Sequence, residues 1–253
     1  MDFQKSIPPI LQEAGDLALE YFSHLQDLEI ELKGPKDFVT EADKAVESFL
    51  KRKLKELAPE YGFFGEEEGI EGNQKQRWII DPIDGTHSFM RGQYFWGISL
   101  GLEVDGTLTE GFVLAPALRD LFQAKRGFGA FKNSKPISVS KISKISEAMV
   151  ATGFACLRAG LEENNLQRFN RIALETAGQR RFGSAALDLC MVADGQVEAY
   201  FEQELNLYDI AAGIVILREA GGDVYDFKGV ECVNPKEVLA TNKLVDQQLF
   251  SLI

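Results

Sequence analysis

A chain of 253 residues, 45% of them hydrophobic, can bury a large core as one large domain or two smaller ones. Its net charge of -12, with no block of Lys or Arg to offset it, argues against nucleic acid and anionic membranes as partners. No apolar run approaches the roughly 20 residues of a membrane span, and the N-terminus MDFQKSIPPI lacks a basic segment followed by an apolar core, so a cytoplasmic protein is expected.

Apolar residues at Ile10, Leu11, Ala14, Leu17, Ala18, Tyr21 and Phe22 set a helical period over about residues 9–24. Residues 27–39 read as strand and loop, turning at Gly34-Pro35. Thr40-Glu41-Ala42-Asp43 then opens a second amphipathic helix through Leu57, with Ala42, Val46, Phe49, Leu50 and Leu54 on one face. From 61 to 140 the runs GFFGEE, RWIID, YFWGISLGLEV, LTEGFVLAP and LFQAKR read as strands. A strand at 148–152 is followed by helices at about 161–177 and 184–194, a strand at 197–202 and a helix at 209–220. Strand then helix recurs to the end, through VLATN and a final helix from about Lys243. The pattern is mixed α/β (α+β), with sheets layered between helix pairs. It reads as one unit, 1–253, with a seam near Val150 between an α+β half (1–150) and an α/β half (151–253). Cys156, Cys190 and Cys232 are widely spaced and form no CxxC pair, which suggests reduced packing residues.

The stretch RWIIDPIDGT, residues 77–86, runs an apolar strand into two carboxylates around a proline. Pro82 cannot donate to a ladder, so the strand is expected to end there, with Asp84-Gly85-Thr86 turning into a short helix. Positions i and i+3 of a tight turn share a side, which brings Asp81 and Asp84 together; left alone, one of them would take up a proton. A divalent cation removes the conflict. With only His24 and His87 in the chain, the donors on offer are carboxylate and carbonyl oxygens, which suit Mg²⁺ better than zinc. The amides of Gly85 and Thr86 would face whatever the metal binds, an arrangement suited to a phosphate. Mg²⁺ between carboxylates and phosphoryl oxygens lets an acidic site accept a phosphate monoester and activates water for in-line attack.

Other polar residues admit two readings each. Asp43 in Thr40-x-x-Asp43 caps its helix or serves the site; Asp209 is a first-turn acid or a ligand; Glu66-Glu67-Glu68 is a solvated loop or a set of ligands. His87 packs or caps within the short helix, or it contacts substrate.

In order and spacing, GEE at 65–67, DPIDGT at 81–86 and YDIAAG at 208–213 resemble the three signatures of the inositol monophosphatase family of Mg²⁺-dependent, lithium-sensitive phosphatases. The resemblance runs from the first helix to the last strand. It implies a layered αβαβα sandwich of the sugar phosphatase type, a homodimer, two to three Mg²⁺ ions per site, and hydrolysis of a small phosphorylated polyol such as inositol 1-phosphate. By the same resemblance, Glu66, Asp81 and the carbonyl of Ile83 are ligands of one metal, and Asp81, Asp84 and Asp209 of a second. A third, weaker ion lies near Glu66 and Glu67, the latter counted with the catalytic residues. Thr86 and Asp43 resemble the pair that orients and deprotonates the attacking water. The amides of Gly85 and Thr86 hold the phosphate, and Lys33 resembles a lysine on the family's mobile loop whose closure helps order the third metal.

For the ring pocket, Asp84 and Glu202 resemble carboxylates that take ring hydroxyls. Gly183, Ser184 and Ala185, opening the GSAALDLC helix, resemble further contacts, where Ser184 reads equally as an N-cap. Taken by itself, Glu202 reads as a surface charge. The departures from the family pattern fall here: Tyr208 where a Trp commonly precedes the metal-binding Asp, His87-Ser88 in place of Thr-Asn, and Asn206 where an inositol-active relative can carry His. FMRGQYFWG and APAL (115–118) resemble stretches of histidinol-phosphate phosphatases. That ester and fructose 1,6-bisphosphate are therefore alternative substrates, and a regulatory binding protein that keeps the fold is the non-enzymatic alternative.

Overall fold

The computed structural model of the protein describes residues 2–34, 37–231 and 233–253, apart from the side chains of Lys33 and Asp37. The expected turn residue Pro35 and the thiol of Cys232 therefore lie outside the described residues; Cys156 and Cys190 are buried free thiols. Helix α1 (Phe3–Ser23) begins earlier than the expected residue 9 and contains Pro8 and Pro9. Phe3 and Ile7 extend the buried stripe of Leu11, Ala14 and Ala18, and the Phe3 ring sits edge-on to Trp78 at 5.0 Å. The two prolines fall on the half-buried and exposed side, where the lost backbone donors cost least.

A hairpin of β1 (Ile30–Gly34) and β2 (Asp37–Thr40) leads into α2 (Glu41–Leu57), which opens with a capping box between Thr40 and Asp43. Next come β3 (Gly62–Gly65), β4 (Gly69–Glu71), β5 (Gln76–Asp84), the short helix α3 (Thr86–Met90), β6 (Gly97–Val104), β7 (Thr107–Ala115), β8 (Asp120–Lys125), β9 (Ala130–Lys132) and β10 (Lys135–Pro136). They form one eight-stranded sheet in the order β10-β9-β8-β7-β6-β5-β3-β4, parallel only between β3 and β5. The remaining elements are β11 (Met149–Thr152), α4 (Ala155–Arg158), α5 (Asn165–Glu175), β12 (Gly178–Arg180), α6 (Ala185–Ala193), β13 (Ala199–Gln203), α7 (Leu207–Glu219), β14 (Asp223–Tyr225), β15 (Glu237–Thr241) and α8 (Asp246–Phe250). Their five strands form a second sheet, β12-β11-β13-β15-β14. Strands β4, β9, β10 and β12, of two or three residues each, are too short to show alternation in the sequence. The helix expected from 161 starts only at Asn165, where the Asn164 side chain accepts the Leu166 amide.

One expectation is corrected at Pro82. The strand does not end there but runs to Asp84, with Asp81 opposite Ser99 and Asp84 opposite Gly97, so β5 carries one extra residue. Within this bulge the Ile83 amide donates to Asp81 Oδ1 (3.1 Å), and β3 already ends opposite Ile80, so proline removes no ladder bond.

The core is layered. On one face of the large sheet Trp78, Ile80, Leu100, Phe112 and Leu114 pack with α1 and α2; on the other, Val113, Phe122 and Ala124 pack with α6 and α7. Those two helices also meet Tyr200, Val224 and Ala240 of the small sheet, whose far face packs Val150, Phe201 and Leu239 against Ile172 of α5 and Leu249 of α8. The architecture is αβαβα, and every residue of α6 is buried, as its place between two sheets requires. No helix among the described residues is long and apolar enough to cross a membrane.

Close packing explains the small residues of the third motif. A Cβ on Gly111 of β7 would stand 2.4 Å from the Ala212 carbonyl oxygen, one on Gly101 3.0 Å from Ala211 Cβ, and one on Gly213 2.6 Å from Leu189 of α6. Ala211-Ala212-Gly213 thus lets α7 lie directly on β6, β7 and α6, which fixes where its N-terminus emerges.

Candidate active site

The bulge of β5, the turn after β3, the β1–β2 hairpin and the N-termini of α3, α6 and α7 line a cleft of about 340 Å³. One carboxylate oxygen from each of Asp81, Asp84 and Asp209 lies within 4.8 Å of the others. Asp209 sits at the third position of α7 and accepts the Asn206 amide at 2.6 Å, so it closes a capping box while pointing its charge at the cluster. The capping and the site readings of this residue hold together. The same is true of Asp43, which accepts the Thr40 amide (2.8 Å) and lies 3.4 Å from the Thr86 hydroxyl. That hydroxyl donates to the Ile83 carbonyl at 3.1 Å, which brings Thr86, Asp43 and Ile83 together. Ser184 is likewise both an N-cap, accepting the Leu187 amide, and a donor to Asp84 Oδ2 at 2.7 Å; the Ala186 amide reaches the same oxygen at 2.6 Å.

The charges are strongly frustrated. Burial pushes the carboxyl of Asp81 well above its usual range, and the neighbouring charges of Glu66, Asp84 and Asp209 add to the effect. Burial likewise raises Asp84 to about 7 against the hydrogen bonds from Ser184 and Ala186, and raises Asp209 well above its ordinary value with help from Asp84. Asp43 rises to about 7, chiefly by burial, opposed by Thr40. Among the described residues no Lys or Arg pairs with Asp81, Asp84 or Asp209. Desolvated carboxylates converging without a counter-charge, with the Ile83 carbonyl beside them, are the donor set of a hard divalent cation.

Glu66 lines the cleft beside Asp81, and its amide donates to the Ile80 carbonyl at 3.1 Å. The turn that carries it is held by a residue the sequence reading missed. Glu47 of α2 is fully buried, and its two carboxylate oxygens accept the amides of Glu67 (2.9 Å) and Glu68 (3.0 Å). Lys51 bridges Glu47 and Glu68 at 3.0 and 2.9 Å. A Cβ on Gly65 would fall 2.1 Å from Glu47 Oε1, which accounts for the glycine of GEE. In the sequence Glu47 and Lys51 look like an ordinary exposed i,i+4 pair; the only hint was that Glu47 adjoins the apolar Val46.

Gly85 caps α3 at φ +99°, and a Cβ there would sit 3.2 Å from the carbonyl oxygens of Gly183 and Phe95. Gly85, Thr86, Gly183 and Ala185 all line the cleft. Glu202 lines it too, and here the surface-charge reading is corrected: the residue is buried, accepting the Ala155 amide at 2.8 Å and the Tyr200 hydroxyl at 2.7 Å. His87 is exposed, lines the cleft and lies edge-on to Phe38 of β2 at 5.1 Å. Tyr208 lies edge-on to Phe64, and Asn206 is the N-cap of α7. Neither FMRGQYFWG nor APAL lines the cleft; Phe89 and Trp96 are core residues. Two cations that do line it, Arg158 and Arg181, escaped the sequence reading. The side chain of Lys33 lies outside the described residues.

The chain resembles known proteins over nearly its whole length. It is 36% identical over 244 residues to an inositol-1-monophosphatase of Mesorhizobium japonicum, covering 95% of this chain and 92% of that protein. It is also 36% identical over 220 residues to a protein of Xylella fastidiosa named Nus factor SuhB, covering 87% and 80%. The crystal structure of the extragenic suppressor protein SuhB from Bartonella henselae superposes with a TM-score of 0.91 at 33% identity, over 97% of this chain and 96% of that one. The description of the inositol monophosphatase family matches residues 7–253, and the chain belongs to that family of phosphoric monoester hydrolases.

Proposed function

We propose that the protein, acting as one catalytic unit, is a Mg²⁺-dependent phosphomonoesterase that hydrolyses inositol 1-phosphate to inositol and phosphate. The observation that carries this reading is the convergence of Asp81, Asp84 and Asp209 within 4.8 Å in a cleft that also exposes the N-terminus of α3. These three carboxylates, with Glu66 and the Ile83 carbonyl, would hold two ions, and Glu66 and Glu67 a weaker third. Bound there, Mg²⁺ supplies Lewis acidity toward the phosphoryl oxygens and lowers the pKa of water. The chain supplies the rest. Thr86 Oγ1 orients the attacking water and passes its proton toward Asp43 Oδ1. The amides of Gly85 and Thr86 receive the phosphoryl oxygens, and Ser184 holds Asp84 in place through a 2.7 Å hydrogen bond. Asp84, Glu202 and the backbone at 183–185 face the leaving alcohol. On this reading the protein is a cytoplasmic homodimer inhibited by lithium, and the side chain of Lys33 approaches the third ion.

The test is phosphate release in Mg²⁺ from inositol 1-phosphate, histidinol phosphate and fructose 1,6-bisphosphate, compared as kcat/KM. Preference for inositol 1-phosphate upholds the substrate; preference for another ester keeps the chemistry and replaces it. A second reading, a regulatory binding protein, draws on the SuhB-named relative. Asp81→Asn separates the two, because it abolishes turnover in the first case and leaves partner binding intact in the second.

A further inference from the structure

A second cavity, of about 590 Å³, lies on the flank of α7 and shares no lining residue with the acidic cleft. The buried Ile214 and Val215 of α7 form its apolar floor, with Leu108 of β7, Leu207 and Val233 around them. Its charged residues are nearly all engaged. Glu103 pairs with Arg77 at 2.6 Å, and Arg218 with Asp223 at 3.0 Å and Glu231 at 3.7 Å. Glu219 accepts the amides of Gly127 (2.8 Å), Phe128 (3.1 Å) and Gly129 (2.8 Å). The exception is Arg126, whose exposed side chain makes no hydrogen bond or ion pair among the described residues. An aliphatic wall beside one uncommitted guanidinium is complementary to an amphipathic molecule with a single negative charge. The glutamates around the cavity repel a dianion more than a monoanion, so a carboxylate fits better than a phosphate. Among the described residues no aromatic ring lines the cavity to stack on a planar ligand, which favours an aliphatic body.

One stretch of chain separates this cavity from the acidic cleft. Leu207 lines the cavity, whereas Leu205, Asn206, Tyr208 and Asp209 line the cleft. The same stretch is tied to the residues that precede β15. Pro235, which lines the cavity, accepts the Leu205 amide at 2.9 Å, and the Lys236 carbonyl accepts the Glu204 amide at 3.2 Å. Lys236 Nζ also pairs with the Glu204 carboxylate at 3.1 Å. A molecule seated against Leu207 and Pro235 therefore bears on the segment that carries Asp209 and leaves the cleft itself open. We propose that this cavity is a second ligand site, for a medium-chain aliphatic carboxylate, and that its occupancy strengthens Mg²⁺ binding at Asp209. The chain of the ligand covers the apolar floor and holds Leu207, which steadies the first turn of α7 and so the carboxylate two residues on. The ligand site stands apart from the reaction in the cleft; the coupling rests on the metal-site reading.

The experiment is calorimetric titration of octanoate into wild type, Arg126→Gln and Val233→Trp, with octylammonium as the control for the sign of the head group. Burial of the alkyl chain and one charge-assisted contact predict a single octanoate per chain with a Kd of about 0.1–1 mM. Arg126→Gln should weaken octanoate about tenfold or more, and wild type should bind octylammonium weaker than octanoate by a similar factor. Val233→Trp, which fills the cavity, should abolish binding; if that variant does not fold, Arg126→Gln decides alone. No octanoate binding to wild type, equal affinities for octanoate and octylammonium, or an unchanged Kd in Arg126→Gln would overturn the site. For the coupling, Mg²⁺ titrated into wild type should bind about fivefold or more tighter with octanoate present, and by linkage octanoate should gain the same factor from Mg²⁺. The shift should vanish in Val233→Trp, which separates it from association of octanoate with Mg²⁺ in solution. Equal or weaker Mg²⁺ affinity in the presence of octanoate would overturn the coupling. A wild type that bound no Mg²⁺ at all would sink the metal-site reading instead and leave the octanoate result to decide the ligand site.

Discussion

Glu47 reaches the proposed ligands only through the backbone, by accepting the Glu67 amide, yet its replacement by Gln is predicted to weaken the metal site. The carboxylate accepts two backbone amides, those of Glu67 and Glu68, and pairs with Lys51 in a fully buried position. In Glu47→Gln the side-chain carbonyl can keep one amide, but the new NH₂ faces the other and leaves that half-buried donor without its partner, at about 1–3 kcal/mol. The Glu47–Lys51 attraction is also lost, partly offset because Lys51 retains Glu68. Together these amount to about 2–4 kcal/mol, a fall in Tm of roughly 4–16 °C for a chain of this size. Since the same turn carries Glu66 to the cleft, the Mg²⁺ concentration for half-maximal activity should rise, and the stabilisation by millimolar Mg²⁺ should shrink, while kcat at saturating Mg²⁺ changes little. Thermal melts with and without Mg²⁺, together with a Mg²⁺ titration of activity, measure both. A lowered Tm with an unaltered Mg²⁺ response would make Glu47 a packing residue only, and an unaltered Tm would refute the hydrogen-bond argument itself.

Asp81→Asn removes one of three mutually repelling buried carboxylates, so in metal-free melts it should stabilise or leave Tm unchanged, while the upward shift that Mg²⁺ gives the wild type disappears; a wild-type protein unmoved by millimolar Mg²⁺ would count heavily against the site. Thr86→Ala should lower kcat by about 10² or more with Mg²⁺ affinity nearly unchanged, and the reverse pattern would remove Thr86 from water activation. Gly111→Ala sets a methyl against the backbone oxygen of Ala212, a clash no rotamer relieves, so α7 must shift: a cost of about 1–3 kcal/mol and weaker Mg²⁺ binding through Asp209 are expected. Normal Mg²⁺ binding in that variant would show that Asp209 does not depend on the contact. Asp223 is an acid-sensitive group: burial works to raise its carboxyl, but Lys243, the Val224 amide and Arg218 outweigh burial and hold it below the ordinary aspartate range. Its stabilisation is therefore complete above the unfolded-state value and lost as pH falls through the folded one, and Asp223→Asn should flatten the stability profile below about pH 4. An unchanged acid limb would refute the assignment.

What the sequence discloses about this site follows from distance along the chain. Asp81 and Asp84 are three residues apart, and Thr40 with Asp43 forms a capping box of the same span, so local geometry suffices to read both. The helical period gave α2 because its apolar face repeats over several turns, whereas Pro82 misled because a proline that stops an interior strand is tolerated at a bulge with no neighbour on one side. Glu47 acts on amides 20 and 21 residues away, and Ser184 on a carboxylate 100 residues away; no spacing rule carries that information.

The acids of the site are also its joints, and this decides what can vary. Asp43 and Asp209 both close capping boxes, and Asp84 ties the β5 bulge to the first turn of α6 through Ser184 and the Ala186 amide. Each carboxylate therefore has one oxygen in the scaffold and its charge in the cleft, so the helices that bring the acids together are held by the same groups that repel one another. That coupling makes the cluster rigid toward substitution. Elsewhere in the cleft the exposed Arg158 and Arg181 make no side-chain hydrogen bond or ion pair among the described residues, and they act on the buried Glu202, and Arg181 also on Asp188, through their charge. The acid cluster is thus fastened into four elements at once, whereas these arginines are fastened into none, which is why the acidic motifs carry the resemblance to the family.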